Sequence, residues 1–184
     1  MMKKTLILLT LLPSAALAHT GHDSGSFATG FGHPFSGADH MLAMVALGLL
    51  AAQVGGRALW ALPLAFVGAM LVGGLMGAAE MPFPAVEPTI LASCIILGAL
   101  VAMAVRLPLP LLLAGTAIFG AAHGWAHGAE GPASGLAVYA AGFAVATAAL
   151  HGLGIVSGKA IPALAIRGAG FVAALAGVTL AVAG

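Results

Sequence analysis

Two short stretches put metal-binding side chains where the chain is otherwise nearly pure hydrocarbon. "HPFSGADH" spans residues 33–40, and "HGWAHGAE" spans residues 123–130. Imidazole lone pairs with one carboxylate, and no cysteine cluster, suit a borderline divalent transition ion such as Ni2+, Co2+, Cu2+ or Zn2+. They do not suit Mg2+ or Ca2+, which prefer all-oxygen sites. Ligand type alone does not choose within the transition series.

The spacing sharpens this. His123 and His127 stand four residues apart, on one helix face, so their rings can converge on a single ion. His33 and His40 are seven apart and share a face, but a regular helix separates them by about 10 Å. Either His33 acts above the main site, or the helix is unwound near Gly37 and brings the two together. Asp39 is about 100° round the helix from His40. It either completes the coordination from the edge or orients an imidazole from behind. Met44, one turn below His40, is a soft donor and equally a core side chain. Glu130 lies three residues past His127. His151 is a further histidine inside an apolar run, a relay for the ion or a packed hydrogen-bonding group.

The elements that must hold these residues are membrane helices. Of 184 residues, 61% are hydrophobic and only 6% charged, against roughly 45–50% and 25% in a soluble domain. The mean hydropathy is +1.13. Lipid leaves only helices or closed barrels able to satisfy their own backbone, and continuous apolar runs exclude the alternating pattern of barrel strands. The expected fold is all-α: a compact bundle of six transmembrane helices over 33–54, 58–79, 88–105, 107–128, 133–156 and 161–183, within a transmembrane domain of residues 33–184. Before it, Lys3 and Lys4, the apolar "TLILLTLL" and "SAALA" read as a cleavable signal peptide, residues 1–18. Residues 19–32 then form a periplasmic segment carrying His19 and His22. A new terminus at His19 chelates through its amine and ring, so this segment reads as an ion-collecting tether or as a simple tail.

Charge placement gives the orientation. With the mature N-terminus outside, Arg57, Arg106 and Lys159 fall in cytoplasmic connectors, with Arg167 within snorkelling reach. Asp23, Asp39, Glu80, Glu87 and Glu130 fall outside or in outer halves of spans. Asp39, His40 and His123 then lie at matching depths, about two turns or less below the outer rim. An ionisable side chain there costs at least about 2.5–3.5 kcal/mol on insertion and normally faces a pathway or a partner. The glycines at 120, 124 and 128 form one ridge for close helix contact. The single Cys94 allows no intrachain disulfide.

The two motifs, His-x5-Asp-His and His-Gly-x-Ala-His-Gly-x-Glu, resemble those of the HupE/UreJ family of nickel and cobalt permeases. The six-span plan behind a signal peptide is similar over the whole length. The resemblance implies secondary Ni2+ uptake, sometimes Co2+, for hydrogenase or urease maturation. It points to His33, Asp39, His40, His123, His127 and Glu130 as metal residues, with no resident cofactor. Ala122 departs from the family, where an aromatic residue often precedes the first histidine of the second motif. The implied partners are the ion and the bilayer of the bacterial inner membrane, with no nucleic acid. No Gly-rich phosphate loop is present, so the sequence requires no ATP-binding subunit. It is silent on oligomeric state.

Other classes fit less well. A zinc-protease helix needs a glutamate where Gly124 stands in "HGWAH". A serine nucleophile at Ser134 would lie about 25 Å from His151 along one helix. A membrane metal-binding or sensing protein without transport is the remaining alternative.

Overall fold

The computed structural model describes residues 25–183, so the signal-peptide reading of residues 1–18 and the tether histidines His19 and His22 lie outside the described residues. The described chain is helical throughout. Helix α1 (Phe27–Gly32) runs into a 3-10 turn (His33–Phe35), followed by α2 (Ala38–Val54), α3 (Ala58–Ala78), α4 (Val86–Met103), α5 (Leu109–Ala129), α6 (Leu136–Ala160) and α7 (Ala163–Ala183). Five of these are long and apolar enough to cross a membrane. A sixth crossing forms if the bent pair Phe27–Phe35 and Ala38–Val54 counts as one broken span. The protein is an all-helical, multi-pass membrane protein.

The first span differs most from a regular helix over 33–54. The chain bends by 83° between its two helical pieces, and Gly37 caps α2 in an extended conformation, φ −110° and ψ 124°. Of the two arrangements the spacing allowed, the broken helix is the one present. Pro34 favours this local structure, because it needs no donor of its own in the first turn of a 3-10 segment. Helix α1 begins at a capping box in which Ser26 and Thr29 satisfy each other's backbone N–H groups. It packs on α6, where Gly30 meets the backbone of Tyr139 and Gly142 that of Phe27. Nothing in the sequence pattern predicts this helix.

Glycine sets the remaining contacts. A Cβ on Gly120, Gly124 or Gly128 of α5 would run into backbone atoms of Phe66, Met70 or Gly74 on α3. Gly73 and Gly77 of α3 likewise meet the Ala121 and Trp125 carbonyls. The predicted ridge on α5 therefore meets a second one on α3, and backbone touches backbone along the pair. Gly48 of α2 and Gly154 of α6 oppose each other in the same way. Pro63 lies inside α3, which continues through it.

The two ends of the bundle differ in charge. Gln53, at the end of α2, donates to the Val101 carbonyl at the end of α4, and Arg167, early in α7, donates to the Ala102 carbonyl. Arg57 caps α3 beside the α2 terminus, and Lys159 lies in the last turn of α6. At the other end Trp125 of α5 donates to the Met81 carbonyl in the α3–α4 connector. Glu80, Glu87 and Glu130 lie in the connectors and helix ends there.

Candidate metal-transit site

The break at Gly37 brings the first motif face to face with the second. His33 and His40 both reach His127, with ring centroids 4.7 Å and 4.6 Å away. His40 also stands edge-on to His123 at 4.6 Å. Four imidazoles from the 3-10 turn, α2 and α5 thus form one continuous cluster. Tyr139 and Phe143 of α6 wall it on the third side: Phe143 lies 4.3 Å from the His127 ring, and Tyr139 5.8 Å from that of His33.

Asp39 lies against the His40 ring. Its Oδ1 accepts hydrogen bonds from the His40 Nδ1, at 3.0 Å, and from the His40 backbone N–H, at 2.9 Å. An ionised carboxylate only accepts, so Nδ1 of His40 carries a proton, and in the neutral ring Nε2 carries the lone pair. That lone pair faces His127 Nε2 at 2.6 Å. Asp39 therefore fixes the orientation of the His40 ring. Its own N-terminal-turn position in α2 also suits a negative charge.

Among the described residues, no three His, Cys, Asp or Glu side chains are already arranged to hold a metal ion together. The His40–His127 contact gives the physical reason. Two imidazole nitrogens bound to one tetrahedral ion, each about 2.0–2.1 Å from it, stand about 3.4 Å apart. Here they sit at hydrogen-bond distance instead. Admitting an ion requires the rings to part by less than about 1 Å.

Burial increases inward. The side chains of Asp39 and His40 are 25% and 13% exposed, His127 is 8% exposed and His123 fully buried. Deeper still, His151 of α6 is buried with neither ring nitrogen hydrogen-bonded. The Phe66 ring neighbours both deep histidines, 5.4 Å from His123 and 5.2 Å from His151. Met44 is fully buried in the apolar core with Leu47, Leu50 and Phe66. Glu130 is exposed at the C-terminal cap of α5. An apolar cavity of about 580 Å3 lies between α3, α5 and α6 and reaches His127 beside Met70, Gly124 and Phe143.

Two polar side chains of α4, outside both motifs, also reach the site. Ser93 of α4 lies 3.0 Å from His123 Nε2, and Cys94 donates to the Asp39 carbonyl at 3.0 Å. Depth matching can find the first. Ser93 lies seven residues below the start of α4, and His123 six from the end of the antiparallel α5, so both sit about 9–10 Å below the same rim.

Comparison with known proteins agrees with this architecture. The pattern of the HupE / UreJ protein family matches residues 7–182, which includes both histidine motifs. "Protein HupE" of Rhizobium leguminosarum bv. viciae is 47% identical over 146 residues, covering 78% of this chain and 76% of the relative. No solved structure matches. A match over nearly the whole length places the chain beyond a shared motif: it belongs to the HupE/UreJ family of nickel and cobalt uptake permeases, which are membrane transporters and not enzymes.

Proposed function

We propose that this chain takes up Ni2+ across the bacterial cytoplasmic membrane through the cluster of His33, Asp39, His40, His123 and His127. The observation that carries the reading is the helix break at Gly37, which puts histidines of both motifs around His127. An ion arriving from the periplasm meets His33 and Glu130 near the rim. It then replaces the His40–His127 hydrogen bond with two coordination bonds, as the bridging proton moves from His127 Nε2 to the unpartnered Nδ1 of the same ring, and passes to His123. Asp39 supplies the charge that favours a dication and keeps His40 Nε2 available. His151 receives the ion on the inner side of Phe66.

In the proposed orientation the acidic end faces the periplasm and Arg57, Arg106 and Lys159 face the cytoplasm, following the positive-inside rule. Residues 1–18 act as the signal peptide, and residues 19–32 follow it on the periplasmic side, with His19 and His22 collecting scarce ions before the rim. The domain of residues 33–184 carries the transport path.

Uptake of radioactive Ni2+ by cells expressing the protein, with Co2+, Zn2+ and Cu2+ as competitors, tests the reading. Saturable uptake that Ni2+ outcompetes is expected. Surface-bound label without cytoplasmic accumulation would instead identify a binding or sensing protein. Replacing His19 and His22 with alanine, with signal cleavage verified, should reduce uptake at limiting nickel only; equal curves at all concentrations remove the tether's role.

A further inference from the structure

We propose that Ser93 is a positioning residue that fixes the tautomer of His123 and so selects Nδ1 as the nitrogen offered to the ion. This rests on the transport site proposed above. Both side chains are fully buried, so every proton in this corner needs a protein partner. The Ser93 hydroxyl has one hydrogen and two close neighbours: the Ile90 carbonyl at 2.6 Å and His123 Nε2 at 3.0 Å. The carbonyl can only accept, so it takes the hydroxyl hydrogen. The Ser93 oxygen is then left to accept from Nε2–H.

A neutral imidazole has one N–H and one lone pair, which puts the lone pair on Nδ1. That atom is buried and has no hydrogen-bond partner, on a ring standing 4.6 Å from that of His40. The opposite tautomer would bury an N–H with nothing to accept it and would leave the Ile90 carbonyl competing for the same hydroxyl. His40 reaches the complementary state by another route, since Asp39 takes its Nδ1–H and frees Nε2. The two neighbouring rings thus present opposite nitrogens, one set by a carboxylate and one by a serine.

The test combines nitrogen NMR of protein labelled with 15N-histidine, purified in detergent, with nickel uptake in cells. The His123 resonance, assigned by its loss in His123→Gln, should report Nε2–H in the wild type and a mixture of tautomers in Ser93→Ala. Ser93→Ala should raise the KM for Ni2+ by about 10–100-fold, the usual cost of removing a partner behind a ligand, with Vmax little changed. Ser93→Thr, whose hydroxyl bonds the same upstream carbonyls, should restore both readouts. An unchanged tautomer and KM in Ser93→Ala would overturn the proposal, as would a Ser93→Thr variant as impaired as the alanine. Normal uptake by His123→Ala would instead remove the transport site, and the NMR signal tells that failure from one of Ser93 alone.

Discussion

At the scale of single residues, the cluster assigns different work to side chains that look equivalent in the sequence. Asp39 touches His40 and no other ring by hydrogen bond, so its substitution should act through His40. Asp39→Asn keeps an acceptor for Nδ1–H but removes the negative charge. Uptake is expected to fall to near background with normal protein in the membrane, and wild-type rates would sink the proposed role. Met44→Leu, a volume-conserving swap in a tight core, should cost less than about 1.5 kcal/mol and leave transport near normal by the same assay. For His151, the two unpartnered ring nitrogens argue against a hydrogen-bonded packing role. His151→Gln should lower the maximal rate, and an unchanged rate would return this residue to packing. The histidines and Asp39 were legible in the sequence because an ionisable group in an apolar run is expensive. Ser93 was not, because a buried serine can bond its own helix and needs no explanation from another.

At the scale of elements, the helix break and the glycine contacts do the positioning. Periodicity locates the long helices but says little about a bend, since Gly37 adopts an ordinary extended conformation that any residue can take. What glycine supplies there is space: a Cβ would come 2.7 Å from Asp39 Oδ1 and 3.2 Å from His40 Nδ1. The α5 ridge was readable from its four-residue repeat, whereas its partners Gly73 and Gly77 on α3 emerge only from the helix pairing. The ridge makes a specific stability prediction. Gly124→Ala would drive a methyl into the Met70 carbonyl, backbone that cannot step aside, and should cost about 1–3 kcal/mol as an overpacked contact. Gly115→Ala, on the same helix with nothing within 4 Å, should be neutral or slightly stabilising. Thermal denaturation of both variants in detergent checks this, and equal midpoints would show that the α3–α5 contact is not tight. Because His123 and His127 flank Gly124, the same change should also disturb uptake.

At the scale of the whole molecule, charge asymmetry and ion energetics should agree on direction. In a Cys94→Ser background, a membrane-impermeant maleimide should label Glu130→Cys in intact cells but Arg106→Cys only after permeabilisation; the reverse pattern overturns the proposed orientation. The driving force follows from the same geometry. A dication moving alone gains about 4.6 kcal/mol per 100 mV, twice the value for one charge, or a little over three decades of equilibrium accumulation. No nucleotide is needed for that, and the short connectors of the described chain leave no room for a nucleotide-binding domain. The slope of accumulation against voltage counts the charges moved. Proteoliposomes holding a potassium diffusion potential, with Ni2+ outside and a nickel-sensitive dye inside, give that slope directly. Uniport predicts the full two-charge slope, exchange for one proton half of it, and exchange for two protons no dependence on voltage at all. When an ion replaces the His40–His127 hydrogen bond, the bridging proton moves to the unpartnered His127 Nδ1 and stays in the site. The two-charge slope is therefore the expected result, and a flat one would show that two protons leave for each ion that enters.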